Sequence, residues 1–222
     1  MNAAARTYPI NARRALAGAT VLWLGFIAIA MLVQSHRLDA WDVAGLRFWR
    51  QGGNAATLRG PWWLAAFAET VTTFGAPLFR NAVVLICAVL LLRLRAQRLA
   101  FGLLITVAAA WVAGDVMKAW FGRIRPDAVP HLVVATGNSF PSGHSLNAAA
   151  VYIALALAAA PWVESKGIRR TIVACAMMLS LLVALTRVWL GVHYPTDAIA
   201  GWLAGAGCAF LMPAALACRA AR

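Results

Sequence analysis

Two histidines stand in short polar segments of a chain that is otherwise strongly apolar. His144 follows a Ser-Gly pair at the start of one apolar run. His193 precedes Asp197 by four residues at the start of another. A tight turn can close that separation, and a carboxylate bound to one imidazole nitrogen fixes the tautomer that leaves the other nitrogen free to attack. The spacing therefore predicts nucleophilic chemistry at His193, with Asp197 as the group that orients it.

Three cationic side chains accompany these histidines at the ends of apolar runs: Lys118, Arg125 and Arg187. Ser142 and Gly143 also predict a helix start, whose free N–H groups form an anion site. Cations and backbone N–H groups together match the negative charge that is spread over phosphoryl oxygens. The set therefore predicts a phosphate site in which the two histidines divide the roles of nucleophile and acid.

Each polar segment also has a simpler interpretation. Basic residues at the end of a membrane span, such as Lys118 and Arg125, can form a collar whose charged heads snorkel to the interface. Ser142 can be a plain helix N-cap, and Asp197 can be favoured by the dipole of a helix that begins at Pro195. Anchoring, however, does not call for two histidines that each adjoin a turn. The combination therefore favours a catalytic site.

The elements that must position these groups are apolar. Of 222 residues, 63% are hydrophobic and 12% are charged, and the mean hydropathy is +0.75. Soluble domains carry about 45–50% apolar and about 25% charged residues. The composition excludes a disordered chain or an ordinary soluble domain and predicts an integral membrane protein. Since no polar stretch is long enough for a second unit, we expect one domain over residues 1–222.

Six apolar runs come close to the length of about 20 residues that a bilayer-spanning helix needs. They cover residues 15–33, 78–94, 99–117, 144–161, 171–189 and 197–217. A shorter, more polar stretch at 61–74 predicts a helix that lies in the membrane interface and breaks before Pro77. The first run also admits a cleavable signal peptide, although it is longer than the usual signal core. The expected fold is therefore all-α, a bundle of six transmembrane helices.

Basic residues are unevenly divided between the two ends of this bundle. The two termini and the loops after the second and fourth spans hold 11 of the 20 Lys and Arg residues but only one of the seven acids. Because cytoplasmic segments are enriched in Lys and Arg, both termini are expected in the cytoplasm. The polar segments, and with them the active site, then face outward. On this view the net charge of +13 reflects topology and does not predict a nucleic-acid partner.

The three polar segments together resemble those of the type-2 phosphatidic acid phosphatase family, which includes bacterial lipid phosphate phosphatases and shares its pocket with vanadium haloperoxidases. The resemblance is carried by Lys118 to Arg125-Pro126, by Pro141-Ser142-Gly143-His144, and by Arg187, His193 and Asp197. Six spans with an outward site fit the same family, so the resemblance covers nearly the whole chain. One position departs from the pattern, because Thr186 stands where the family usually has serine before the arginine.

This resemblance implies a role for each polar residue of the site. His193 would be the nucleophile and form a phosphohistidine intermediate, Asp197 would hold its ring, and His144 would protonate the departing lipid oxygen. The groups implied to bind the phosphoryl oxygens are Lys118, Arg125, Ser142, Gly143 and Arg187. No metal or other cofactor is implied, because the cations do the work that Mg²⁺ does elsewhere. The implied location is the bacterial inner (plasma) membrane, with the site facing the periplasm.

The function that follows is a metal-independent lipid phosphate phosphatase, which removes a terminal phosphate monoester or pyrophosphate from a membrane lipid. Two alternatives stay open: a lipid phosphotransferase with the same pocket, and a non-enzymatic small membrane transporter or assembly subunit. The expected partner is a lipid phosphate, with no nucleic acid, and the oligomeric state stays open. Candidate lipids are phosphatidylglycerophosphate, phosphatidic acid, polyprenyl pyrophosphate and lipid A phosphates.

Two further patterns predict local contacts. Gly201, Gly205 and Gly207 share the last apolar run and predict close packing between helices. Asp115 stands three residues before Lys118, a helical spacing that favours an ion pair between the two side chains.

Overall fold

A computed structural model describes residues 9–218 of the chain. Three arginines of the charge count, Arg6, Arg219 and Arg222, lie outside the described residues. The helices of the described part are α1 (Ala12–Gln34), α2 (Asp39–Phe48), α3 (Leu64–Thr73), α4 (Pro77–Arg93), α5 (Gln97–Phe121), α6 (Gly143–Ala158), α7 (Lys166–Trp189) and α8 (Pro195–Cys218). An antiparallel hairpin pairs β1 (Arg50–Gln51) with β2 (Asn54–Leu58), and a 3₁₀ turn, Ala160–Trp162, follows α6.

The helices confirm the all-α class and fall where the six apolar runs predicted them. Among the residues described, five helices are long and apolar enough to span a bilayer: α1, α5, α6 with its 3₁₀ extension, α7 and α8. Helix α4 has 17 residues and reaches only about 25 Å at about 1.5 Å per residue, short of the hydrocarbon core of about 30 Å. Together, α3 and α4 are long and apolar enough to span a bilayer, although the two helices meet at an angle of 45°. The pair supplies the sixth span if both helices belong to one bent crossing.

Helix α3 forms within the stretch for which an interfacial helix was expected, and its interfacial position stays a prediction. It buries Leu64, Ala68 and Val71, and it packs on α7. Two of its polar groups, the hydroxyls of Thr70 and Thr73, donate to carbonyl oxygens of their own helix at 2.8 and 2.7 Å, whereas Glu69 is exposed.

Helix α6 lies at the centre of the bundle and packs against α5, α7 and α8. A Cβ on Gly201 of α8 would lie 2.5 Å from the carbonyl oxygen of Ser142. A Cβ on Gly205 would overlap the carbonyl oxygen of Leu146, and one on Gly207 would lie 2.8 Å from a tryptophan ring nitrogen of α1. The predicted close packing at these glycines is confirmed. It places the start of α6 directly against α8.

The β1–β2 hairpin was not expected, although a Gly-Gly pair between short runs is a hairpin signal. The second glycine, Gly53, has φ +87°, a backbone conformation that residues with a Cβ rarely adopt. Leu58 packs with Val192 beside the α7–α8 loop. Arg50, one of the nine basic residues outside the termini and the two basic loops, is buried and donates from Nη1 to the carbonyl oxygen of Trp189 at 2.7 Å. The hairpin therefore fixes the loop that carries His193.

Gly205→Ala should destabilise the bundle, because its methyl group would collide with the backbone of α6. Over-packing of this kind costs about 1–3 kcal/mol. Gly18→Ala is the matched control, since Gly18 is also helical and nothing lies within 4 Å of its Cβ position. The measurement is the melting temperature of the detergent-purified protein. An unchanged melting temperature for Gly205→Ala would contradict the close contact between α6 and α8.

Candidate active site

The three polar segments meet at one end of the bundle, where α5 and α7 end and α6 and α8 begin. The N–H of Ser142, at the start of α6, donates to the carbonyl oxygen of Asp197 on α8 at 3.0 Å. Nη1 of Arg125, from the α5–α6 loop, lies 3.1 Å from Nε2 of His193 in the α7–α8 loop. Residues that are far apart in the sequence therefore line one site.

His193 is held on one side by a buried carboxylate and a serine. Its Nδ1 lies 3.6 Å from Oδ2 of Asp197, which is long for a hydrogen bond, and 3.3 Å from Oγ of Ser139. Ser139 Oγ donates to the same carboxylate oxygen at 2.5 Å. The N–H of Tyr194 also donates to this oxygen, at 2.9 Å. Asp197 therefore acts on His193 both directly and through Ser139, a residue to which the sequence assigned no role.

The other ring nitrogen of His193, Nε2, faces Arg125. A guanidinium group can only donate hydrogen bonds, so Nε2 is the acceptor and the ring proton is assigned to Nδ1. That proton then has the hydroxyl of Ser139 and the carboxylate of Asp197 as its acceptors. His193 thus presents a lone pair on Nε2, which is what a nucleophile requires.

Burial keeps this ring neutral. Only 2% of His193 is exposed, and the loss of hydration lowers its pKa to about 4. The carboxylate of Asp197 opposes this shift, whereas the positive charges of Arg125 and Arg187 add to it. The ring is therefore uncharged at neutral pH.

An ion-pair network that the sequence did not predict holds the other oxygen of Asp197. Arg123 donates from Nη1 to Oδ1 of Asp197 at 2.7 Å and from Nη2 to Oδ2 of Asp42 at 2.8 Å. Asp42, fully buried on α2, also accepts from the N–H and the hydroxyl of Thr196, at 3.0 and 2.6 Å. The one local signal was the position of Arg123 within the first polar segment. Nothing near Asp42 in the sequence indicated its role.

Two of the expected phosphate-binding cations are held by neutral oxygens. Nζ of Lys118 donates to the carbonyl oxygen of Asn138 at 3.0 Å. The guanidinium group of Arg125 donates at 2.7, 3.0 and 2.8 Å to three loop carbonyl oxygens, those of Thr136, Gly137 and Val192. Within the described part of the chain, neither cation has a carboxylate within 4 Å. Their positive charge is therefore available to an anion.

Arg187, the third cation, is buried at the end of α7. Its Nη1 donates to the hydroxyl of Thr72 on α3 at 2.7 Å. Its Nε is buried and has no hydrogen-bond partner among the residues described. A buried donor without an acceptor is costly, so Arg187 is prepared to bind an anionic oxygen. Thr72, which orients it, was not predicted from the sequence.

Two local expectations can be compared with the contacts observed. The expected ion pair between Asp115 and Lys118 is wrong, because Nζ of Lys118 reaches the α5–α6 loop instead and no Asp115 oxygen lies within 4 Å of it in the described structure. The hydroxyl of Thr186 is buried and donates to the carbonyl oxygen of Val183 at 2.6 Å. The departure from serine at this position therefore affects a contact within α7.

Ser142 and Gly143 begin α6, as expected. Oγ of Ser142 caps the helix, since it accepts from the N–H of Ser145 at 3.5 Å and from the Ser145 hydroxyl at 2.9 Å. A Cβ on Gly143 would lie 3.8 Å from Nζ of Lys118. The first N–H groups of α6 and a lysine ammonium group therefore adjoin one another, so both attract an anion to the same place.

His144 faces the same cations from the first turn of α6. It is half-buried, and it lies within electrostatic range of His193, Arg187 and Lys118. A Cβ on Gly75, at the break between α3 and α4, would lie 3.1 Å from Cδ2 of His144. Both imidazoles thus border one cationic site. Among the residues described, no cluster of three or more His, Cys, Asp or Glu side chains could hold a metal ion.

A membrane bundle whose uncompensated cations surround two histidines defines a class of enzyme that acts on phosphate esters. The chain belongs to the PAP2 superfamily, whose family model matches residues 98–219. It is 29% identical over 187 residues to phosphatidylglycerophosphatase B of Bacillus subtilis (strain 168), which covers 83% of this chain and 87% of that protein. It is 33% identical over 131 residues to an undecaprenyl-diphosphatase of Sulfolobus acidocaldarius, over 57% of this chain and 59% of the relative.

A solved structure resembles the whole bundle. It is the crystal structure of a transmembrane PAP2 type phosphatidylglycerolphosphate phosphatase from Bacillus subtilis, with a TM-score of 0.76 and 28% identity over 87% of this chain and 93% of that one. These relatives are named phosphatases of lipid phosphates. The chain is therefore a multi-helix membrane protein and an enzyme, a hydrolase of phosphoric esters. This excludes the alternative of a non-enzymatic transporter or assembly subunit.

Ser139→Ala should lower kcat by about 10- to 100-fold with little change in KM, because a hydrogen bond to a charged group is worth about 1.5–3 kcal/mol. The measurement is the steady-state release of phosphate from a lipid phosphate. Ser180→Ala is the matched control: Ser180 is also fully buried, but its hydroxyl bonds to Met177 and Trp202 away from the site. An equal loss of kcat in both variants would show that Ser139 has no specific part in orienting His193.

Proposed function

We propose that the chain is a metal-independent phosphatase that removes a terminal phosphate monoester or pyrophosphate from a membrane lipid through a phosphohistidine intermediate. The observation that carries this proposal is the state of His193. It is buried and neutral, its Nδ1 is held by Ser139 and Asp197, and its Nε2 points at a guanidinium group. Around it lie cations that have no carboxylate partner within the described chain.

The proposed reaction has two steps. Nε2 of His193 attacks phosphorus, the bond from phosphorus to the lipid oxygen breaks, and His144 gives a proton to that oxygen. Water then attacks phosphorus while His144 takes a proton from it, the bond from phosphorus to Nε2 breaks, and inorganic phosphate leaves. Asp197 stabilises the charge on the His193 ring throughout.

The remaining site residues would stabilise the transferring phosphoryl group. Its equatorial oxygens gain charge in the transition state, and fixed cations in a site of low dielectric stabilise that charge strongly. The groups proposed for this role are Lys118, Arg125, Ser142, Gly143 and Arg187. Arg125 already contacts Nε2 of His193, so a phosphate that replaces this contact would lie in line with the attacking nitrogen.

The proposed setting is the bacterial inner membrane, with both termini in the cytoplasm and the site facing the periplasm. The uneven division of basic residues between the ends of the bundle supports this orientation. Phosphatidylglycerophosphate is the first candidate substrate, because the relatives named for that lipid are similar over most of both chains. Polyprenyl diphosphates are the second, from the relative named for one of them.

The purified protein should release inorganic phosphate from these lipids in the presence of EDTA, and vanadate should inhibit the release. His193→Ala should be close to inactive, because it removes the nitrogen that is proposed to accept the phosphoryl group. Loss of one cation, as in Arg187→Gln, should lower kcat by about 10²–10³, the range found for single oxyanion donors. The measurement is phosphate release, with the melting temperature of each variant as a check on folding.

Two results would contradict this mechanism. One is activity that requires an added divalent metal ion. The other is conversion of a radiolabelled lipid without free phosphate, which would indicate transfer to a second lipid instead of hydrolysis.

His193 should stay neutral well below pH 6, because burial lowers its pKa to about 4. The direction is that of a buried base: protonation becomes appreciable only as the pH falls toward 4, and an ordinary histidine would be half protonated near pH 6.5. The measurement is an NMR titration of protein labelled at histidine, in which His193→Asn identifies the signal. A midpoint near pH 6.5 would contradict a dehydrated nucleophile.

A further inference from the structure

A groove of about 480 Å³ lies between α4, α5 and α6, beside the site. One end is polar and is lined by Arg80, Asn81 and Asn147. The rest is lined by apolar side chains, among them Leu104 and Val107. The groove thus has the polarity of a lipid, with a place for polar groups next to a place for a hydrocarbon chain.

The polar end contains groups whose hydrogen bonds are incomplete. Arg80 is 7% exposed, and among the described residues its side chain makes one hydrogen bond, from Nε to Oδ1 of Asn81 at 3.3 Å. In the described chain no carboxylate lies within 4 Å of it, and Asp115 acts on it only through space. Asn147 is 6% exposed, and its Oδ1 is buried without a partner among the described residues. A ligand that completes this set must be anionic toward Arg80 and must donate to Asn147.

The polar end adjoins the proposed proton donor. Nδ2 of Asn147 donates to the carbonyl oxygen of Gly143 at 2.9 Å, and Asn147 follows His144 by three residues on the same side of α6. Arg80 lies within electrostatic range of His144. His144 therefore stands between two cationic regions: the cluster around His193, and Arg80 in the groove.

We propose that Arg80 and Asn147 form a subsite for the leaving group of the substrate. Arg80 binds a second phosphate that is not cleaved, Asn147 accepts a hydrogen bond from a hydroxyl next to it, and the groove holds the lipid chain. This inference rests on the proposed function, in which the terminal phosphate lies against His193. It predicts that the enzyme selects lipids with two phosphates over phosphatidic acid, which has one.

The experiment compares kcat/KM for phosphatidylglycerophosphate, a polyprenyl diphosphate and phosphatidic acid. The wild-type protein should favour the two lipids that have a second phosphate. Arg80→Gln should lower kcat/KM for both by about 10- to 100-fold and should change that for phosphatidic acid less than threefold. Arg59→Gln is the matched control, since Arg59 is an exposed arginine that does not line the groove, and it should leave all three values unchanged.

A variant of Asn147 separates phosphatidylglycerophosphate from the polyprenyl diphosphate. Asn147→Ala should lower kcat/KM about tenfold for phosphatidylglycerophosphate, whose glycerol has a free hydroxyl. It should leave the ratio of kcat/KM for the diphosphate to that for phosphatidic acid unchanged.

Arg80→Lys is the second variant if Arg80→Gln does not fold. Lysine keeps the charge but lacks the planar donor pair, so kcat/KM for the two lipids with a second phosphate should fall by a smaller factor.

An equal fall for all three lipids in Arg80→Gln would overturn the subsite, because Arg80 would then act on the reacting phosphate or on the fold. A wild-type protein that does not discriminate among the lipids would also overturn it, while the proposed function would stand. Absence of phosphate release from every lipid would instead count against the proposed function itself.

Discussion

The site depends on the pairing of one buried carboxylate. Asp197 is fully buried, and an isolated charge there would cost far more than a membrane protein of this size could tolerate. One oxygen is paired with Arg123, and the other accepts from Ser139 and Tyr194. Its backbone carbonyl oxygen also accepts a hydrogen bond from the N–H of Ser142, the N-cap residue of α6. The need to satisfy one charge therefore joins the α5–α6 loop, the start of α6 and the loop that carries His193.

The distribution of positive charge follows from this pairing. Arg123 neutralises Asp197 and Asp42, whereas Lys118, Arg125 and Arg187 make their hydrogen bonds within the described chain only to uncharged groups. Neutral oxygens hold a cation in place and leave its charge unbalanced, so the excess remains next to His193. In a poorly hydrated site this excess attracts an anion much more strongly than it would in water. Two arginines only two residues apart thus differ in their partners: Arg123 neutralises carboxylates, and Arg125 keeps the uncompensated charge that the proposed phosphate site requires.

The sequence predicted those parts of the structure that have a local signature. Apolar runs marked six helices, and turn residues beside His144 and His193 marked the site. Asp42 has no such signature, because its partner Thr196 lies 154 residues away and the contact exists only once α2 and α8 are packed. Ser139 and Thr72 also lack a local signature. Each bonds to a residue that is distant in the sequence, Asp197 and Arg187, and the contacts exist only once the loops and helix ends are packed. The ion pair expected between Asp115 and Lys118 was wrong because a distant group competes with the nearby one: Nζ of Lys118 donates to the carbonyl oxygen of Asn138 in the α5–α6 loop.

The break between α3 and α4 has a structural consequence that reaches the chemistry. A Cβ on Gly75 would lie 2.6 Å from a side-chain carbon of Val183 and 3.1 Å from the His144 ring, so only glycine lets the chain turn there against both α6 and α7. Tyr152 fixes the turn, since its hydroxyl donates to the carbonyl oxygen of Phe74 at 2.7 Å. Before the bend of 45°, α3 carries Thr72, which bonds to Arg187; after it, α4 carries Arg80, and both arginines lie within electrostatic range of His144. The break at Gly75 thus separates the helix that holds Arg187 from the helix that lines the groove, and the proposed phosphate site and the groove both adjoin His144.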